Sequence, residues 1–354
     1  MTMRIENNEI IVLNPASLKE VGRVEVSSKT KVMACLNSSK KYQQWTSLSL
    51  NQRCKLITRY RKAIVKNSDL LKKTLKSETG KKDFDIFVEY FTFLEHLRHI
   101  PKIAKASLRR ESRNSGLMKN KKSYVVYEPL GVAGIISPWN YPLATPMISS
   151  IEALMAGNNV ILKPSEHTPL TTRLAKKIWD EHIGYEEAFQ VINGCGDIGG
   201  MLVESKNTDI ICFTGSTKVG KLIAEQCGKD LKPVLLELGG KDPMIVLKDA
   251  NINRAIESAV FGGLSNAGQT CISTEEIFVE VQIWERFTKI ISDRIRHITS
   301  GKNKNNELGP MIVPENRDKV EAHIKEVQDS CTIIRGNSDG EASYLSPALI
   351  IDPP

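Results

Sequence analysis

Three short segments carry residue types that could act on a substrate together. In NAGQTCIS (266–273), Cys271 follows a Gly-Gln-Thr turn at the end of a helical stretch and precedes a strand. A cysteine in a loop with free neighbouring amides has the setting of a thiolate nucleophile, and of the seven cysteines only this one has it. Cys212 falls in an apolar strand and Cys227 near a helix end, so both read as packing residues. In VLLELGGKDP (234–243), Glu237 closes a strand just before two glycines, where a carboxylate can serve as a general base. In ISPWNYPL (136–143), Asn140 follows Pro-Trp and can offer its side-chain amide to a developing oxyanion. Each feature alone is more often structural; their presence in one chain sets a nucleophile, a base and an oxyanion donor side by side as candidates.

A fourth segment, FTGSTKVG (213–220), puts a glycine and two hydroxyl residues where a strand turns into a helix. Free N–H groups at a helix start, with the helix dipole behind them, suit a phosphate group. Ser and Thr are equally ordinary helix caps that bind nothing, and from this segment alone both readings stand. The stretch extends to GSTKVGKL, close to the triphosphatase loop G-x-x-x-x-G-K-[ST]. Leu222 occupies the last position and has no hydroxyl for magnesium, which argues against an ATPase.

The elements that must position these segments alternate. Apolar residues at helical spacing over 31–66 and 69–97, such as Leu56, Ile57, Tyr60 and Ile64, predict an outer helical layer after a short extended start and a turn-rich 14–22. From SYVVYEPLGVAGIISPWN onward the pattern becomes βαβα: strands at 160–163, 189–192, 209–214 and 234–238, with helices at 168–182 and 216–227. A further unit reads as strand 243–247, helix 251–264, strand 276–281 and helix 285–298. Such order predicts an α/β fold with a Rossmann-like parallel sheet covered on both faces, which binds nucleotides at the carboxyl ends of its strands.

Composition narrows the class without naming it. With 354 residues and 41% hydrophobic content the chain can bury more than one core. Its net charge of +8 comes from basic residues spread over 55–61, 72–82 and 109–122, read as solvated helix faces. At 6% aromatic there is little for bases to stack on, so nucleic acid is not expected as a ligand. The start MTMRIENNEI lacks the apolar core of a signal peptide and no apolar run reaches bilayer length, so a cytoplasmic protein without membrane contact is expected. The seven cysteines form no C-x-x-C pair and the six histidines no H-E-x-x-H, so neither disulfides nor a metal site is expected.

Taken together, PWNYPL, ILKPSE, FTGSTKVG, LELGGKDP and GQTC, with ETGKK at 78–82, resemble the NAD(P)-dependent aldehyde dehydrogenase superfamily, a likeness running from about residue 14 to the end. The resemblance implies that Cys271 forms a thiohemiacetal with the aldehyde, that Asn140 and the Cys271 N–H stabilise its oxyanion, and that Glu237 activates the water that hydrolyses the resulting thioester. It implies cofactor contacts at Trp139, Lys163, Ser165, Glu166, Gly194, Gly199, Phe213, Thr214, Gly215, Ser216, Gly220, Leu238 and Gly239. Lys163 and Glu166 match positions that meet the adenosine ribose, where a carboxylate accepts from both hydroxyls but repels a 2′-phosphate, so NAD is expected over NADP.

The same resemblance implies a cofactor domain at 1–110 and 130–238, an oligomerisation hairpin at 111–129, and an α/β catalytic domain at 239–354. The family's E-I-F-G-P segment and its later strands do not follow ALIIDPP, so the catalytic domain is expected to be incomplete. The expected function is oxidation of an aldehyde to a carboxylic acid, by a homo-oligomer if those strands are supplied. The alternative is a truncated, inactive remnant that at most binds nucleotide or a related subunit. Glu276 stands where the family commonly shows arginine, a reversed charge expected to disturb local ion pairing.

Overall fold

The computed structural model describes residues 3–338 and 343–353. By contacts the chain divides into two compact units, one of residues 25–72 and 88–237, the other of residues 1–24, 73–87 and 238–354. Among the described residues no helix is long and apolar enough to cross a membrane.

The unit of residues 25–72 and 88–237 is built on five parallel strands in the spatial order Val234–Glu237, Ile210–Thr214, Val132–Ile136, Asn159–Lys163, Phe189–Val191. Counted outward from Val132–Ile136, the order places later strands on both sides, the doubly wound arrangement, with its reversal between Val132–Ile136 and Ile210–Thr214. Successive residues of a strand face opposite sides, and both sides here are apolar. Val160 and Leu162 point into a core with Tyr60, Met147, Ile151 and Trp179, while Ile161 joins Val32, Leu36, Ile198 and Leu202 on the other face. Helices Leu50–Lys66, Ala144–Met155 and Pro169–His182 cover the first face; Lys29–Lys41 and Gly196–Glu204 cover the second.

The helical stretch expected over 31–66 is interrupted. Lys29–Lys41 ends at Tyr42, and Leu50–Lys66 restarts with a capping box in which Ser49 and Gln52 satisfy each other's backbone N–H. The break carries Trp45, fully buried, whose Nε1 donates to Leu154 O at 2.9 Å. The second stretch, 69–97, is likewise divided into Ser68–Thr79 and Asp83–Ser107. Between them Gly80 takes φ +66°, and a Cβ there would lie 2.7 Å from Pro310 Cγ, so only glycine fits the turn. The extended start is a three-stranded sheet of Met3–Glu6, Glu9–Leu13 and Glu20–Glu25, the last strand overlapping the span read as turn-rich. Lys81, within a stretch read as a solvated face, is 3% exposed.

In the other unit, Asp242–Val246 and Thr274–Val279 pair in parallel. Helices Ile252–Leu264 and Val281–His297 join them in a core of Val246, Ile256, Ala259, Phe287, Ile291 and Ile295. Thr332–Arg335 pairs antiparallel with Ala348–Ile351.

Trp179 is fully buried, with ring centroids 5.6 Å from Trp45, 5.2 Å from Tyr60 and 5.5 Å from Phe189. Trp179→Ala removes the centre of this cluster and is expected to lower unfolding free energy by about 3–5 kcal/mol in urea denaturation. A loss below about 1 kcal/mol, the centre of the range for ordinary substitutions, would contradict this packing.

Candidate active site

Within the sheet unit the chemistry-bearing residues lie at or just beyond the carboxyl ends of the strands. Past Ile136, Ser137 N still donates to Lys163 O at 3.1 Å, so the ladder holds the start of the loop that bears Trp139 and Asn140. Thr168 Oγ1 donates to Trp139 O at 3.1 Å and Thr172 Oγ1 to Pro142 O at 2.7 Å. Past Thr214, Gly215 N donates to Glu237 O at 3.0 Å, tying the Gly215–Ser216 turn to the end of the neighbouring strand. Glu237 itself is exposed at that strand end, with Leu238 and Gly239 following it.

The Ser216 turn is a true helix start. Ser216 Oγ accepts from Val219 N and caps Thr217–Lys229, and Gly220 is buried in the first turn. Capping engages one side-chain oxygen and leaves the positive end of the helix dipole facing outward. Leu222 is 61% exposed on this helix, so the position that a triphosphatase loop fills with a hydroxyl is an apolar surface residue. Gly194 precedes Gly196–Glu204, and a Cβ on it would fall 2.3 Å from Ile198 Cγ1, so the approach requires glycine. At Gly199 a Cβ would make ordinary contact, 3.5 Å from Lys163 Cδ, and its glycine is not sterically required.

Lys163 ends its strand 4% exposed, with Nζ donating to Pro164 O at 3.0 Å and to Glu166 Oε2 at 3.1 Å. Ser165 turns the chain, its Oγ accepting from His167 N at 3.3 Å. Burial alone would push the Glu166 carboxyl up. The Lys163 ammonium, a backbone N–H and the Lys163 hydrogen bond outweigh burial and hold it below its ordinary value. Burial pushes the thiols of Cys195, Cys212 and Cys227 up, which keeps them protonated and poorly nucleophilic.

In the other unit Cys271 is the one exposed cysteine of the seven. The residues before it are held tightly. Asn266, Ala267 and Gly268 have φ of 53°, 56° and 74°, three left-handed residues in succession that reverse the chain after Ile252–Leu264. A left-handed Ala costs about 1 kcal/mol or more, and the surroundings hold it there. Gln269, 7% exposed, donates from Nε2 to Asn266 O at 2.8 Å and Pro310 O at 3.3 Å, and accepts from Ile312 N at 2.8 Å. Asp85 Oδ1 accepts from Asn266 N at 3.0 Å. A Cβ at Gly240 would stand 3.0 Å from Cys271 O, so glycine at 240 lets the segment leading into Asp242–Val246 pass close to the Cys271 backbone. Glu276 finds a partner in Lys241, 2.8 Å away, so the charge read as disruptive is paired.

Sequence reasoning passed over Glu89, Thr168, Thr172 and Asp85, all of which bond backbone groups in or beside the two loops. Glu89 left one legible sign, a lone acid inside the apolar run FVEYF (87–91).

The sequence model described as aldehyde dehydrogenase family matches residues 3–354. A lactaldehyde dehydrogenase of Methanococcus maripaludis is 32% identical over 98% of this chain and 75% of its own length. A D-glyceraldehyde dehydrogenase (NADP(+)) of Picrophilus torridus is 32% identical over 89% of this chain and 63% of its own. The solved structure of a Mycobacterium tuberculosis aldehyde dehydrogenase complexed with NAD+ superposes with a TM-score of 0.90 at 27% identity, covering 98% of this chain and 74% of that one. An Escherichia coli NADP-dependent enzyme superposes with a TM-score of 0.91 at 27% identity, covering 98% and 73%. The chain spans between 60% and 75% of the length of the curated relatives it matches.

The Lys163–Glu166 pair sets a pH dependence. A folded carboxyl held below its ordinary value of 4.5 adds stability above that pH, and the contribution is lost as the pH falls below it. Urea midpoints of the wild type and Glu166→Gln should therefore differ most above pH 4.5 and converge in more acidic buffer; a gap independent of pH would contradict the pairing.

Proposed function

Because the chain belongs to the aldehyde dehydrogenase family, we propose that it oxidises an aldehyde to a carboxylic acid with a nicotinamide dinucleotide, through a covalent adduct on Cys271. The observation that carries this reading is the exposed Cys271 at the end of a loop locked by three left-handed residues and the Gln269 side chain. A nucleophile held on a rigid, solvent-open turn needs little reorganisation before attack.

The Cys271 sulfur, as thiolate, adds to the aldehyde carbon, and the carbonyl electron pair moves onto oxygen. The Asn140 side-chain amide and the Cys271 N–H donate to that oxyanion. When bound, a nicotinamide dinucleotide supplies the acceptor for the hydride that the tetrahedral carbon expels, and a thioester remains on Cys271. Glu237 takes a proton from water, which adds to the thioester; collapse returns the thiolate and releases the acid. The exposed setting of Glu237 supports this role, since the water it activates must arrive from solvent.

The residues present suit a dinucleotide. The capped start of Thr217–Lys229 and the Gly215–Ser216 turn offer N–H groups to a diphosphate, and Lys163 with Glu166 offers a cation and an acceptor to a ribose. Trp139, Ser165, Gly194, Gly199, Phe213, Thr214, Gly220, Leu238 and Gly239 are proposed as further cofactor contacts. Glu166 supports NAD, because a 2′-phosphate beside a carboxylate adds like-charge repulsion. The hairpin of Glu111–Arg113 with Ser123–Val125, and the exposed Leu117 and Met118 between its strands, support a homo-oligomeric arrangement.

NADH formation at 340 nm should follow aldehyde addition in the wild type and vanish in Cys271→Ala; equal rates would remove the assignment. Glu237→Gln should give a single burst of NADH near one equivalent of enzyme and then a steady rate lowered by about 10²–10⁴. Undiminished steady turnover would exclude Glu237 as the base. The wild type should show higher kcat/KM with NAD than with NADP, and Glu166→Gln should narrow that ratio; an unchanged ratio would detach Glu166 from cofactor choice.

A further inference from the structure

We propose that Glu89 is a positioning residue that fixes the 137–143 loop, and with it Asn140, for the reaction. This role rests on Asn140 serving as the oxyanion donor in the proposed function.

Glu89 is 1% exposed, on the helix Asp83–Ser107. Its Oε1 accepts from Leu143 N at 2.7 Å and from Ala144 N at 3.2 Å. These N–H groups open the helix Ala144–Met155, whose own cap position, Leu143, supplies no side-chain acceptor. A helix start leaves four N–H groups without internal partners, and an anion there is favoured by the dipole. A capping side chain at position 143 would reach the N–H of position 145 rather than these two, and position 146 is a proline without one. Here the acceptor comes from 54 residues earlier in the chain, so the same bonds also pin the end of the loop to another helix.

The rest of the loop is held in the same way. Thr172, fully buried, donates to Pro142 O, and Thr168, also fully buried, donates to Trp139 O. Ser137 N is bonded to Lys163 O. Bonds to groups off the loop therefore engage it at 137, 139, 142 and 143, and Asn140 sits between the second and third. Of these four, the last is the one made by a charged group. Burying a carboxylate is costly unless it is well bonded, so its place here is set by the N–H groups it meets. With the backbone on both sides of Asn140 fixed, less ordering is left to its amide when charge develops on the substrate oxygen.

Two substitutions separate reach from charge. Glu89→Asp keeps the charge and draws the carboxylate back by one methylene; Glu89→Gln keeps the reach and an accepting oxygen. On the full chain, the side-chain amide signal of Asn140, assigned with Asn140→Ala, should move in Glu89→Asp and stay near its wild-type position in Glu89→Gln. Exchange of the Leu143 and Ala144 N–H groups should quicken about tenfold or more in Glu89→Asp, as expected when a buried bond to a charged group is lost. In turnover, Glu89→Asp should lower kcat about tenfold or more with unchanged KM for the dinucleotide, and should add nothing in an Asn140→Ala background.

An unmoved Asn140 signal in Glu89→Asp, or kcat losses that multiply in the double variant, overturns the proposal. A wild type without Cys271-dependent turnover would sink the functional reading instead, and the Asn140 signal and amide exchange would still decide the role of Glu89.

Discussion

Hydrogen-bond register across five parallel strands decides where each functional turn of residues 25–237 begins. Because the strands run in one direction, their carboxyl ends gather along one edge: Ile136, Lys163, Val191, Thr214 and Glu237. Two bonds carry the ladder past the strands, Ser137 N to Lys163 O and Gly215 N to Glu237 O. They place the Asn140 loop beside the Lys163–Glu166 turn and the phosphate-suited Gly215–Ser216 turn beside Glu237. Slippage by one residue would turn each side chain to the opposite face, and with both faces apolar it is the close fit of individual side chains that opposes it.

Cys271 is positioned by a different device. No sheet edge aims Cys271; a run of left-handed residues and a buried amide side chain do. Ala267 in that conformation costs free energy that the bonds of Gln269, each worth about 1 kcal/mol net, offset. Two carboxylates of the helix Asp83–Ser107 hold loop backbones, one within each unit. Asp85 holds Asn266 N in one unit, and Glu89, four residues on, holds Leu143 N in the other. Neither carboxylate is given a role in bond making; each holds the backbone of a loop that bears a candidate residue.

Much of this was legible in the sequence. Val160–Lys163 and Asp209–Thr214 read as strands because both their faces are apolar, and the structure differs there by a single residue at the start. GQTC, LELGG and PWNY stood out because a loop cysteine, a carboxylate before two glycines and an asparagine after Pro-Trp are residue types that could do chemistry together. The break at 42–49 was not, since a capping serine costs no apolar residue and the helical period resumes after it. The Lys241 partner of Glu276 was also illegible, because it depends on two strands lying side by side. Glu89 escaped for the same reason: an acid in an apolar helix says that it is buried and paired, and only the fold says with what.

Hydrogen–deuterium exchange with and without NAD tests most directly whether the carboxyl edge of the sheet holds a dinucleotide. Binding should slow exchange at 136–140, 163–166, 193–199, 214–220 and 237–239. Protection confined to other parts of the chain, with those segments unchanged, would contradict a dinucleotide site at that edge.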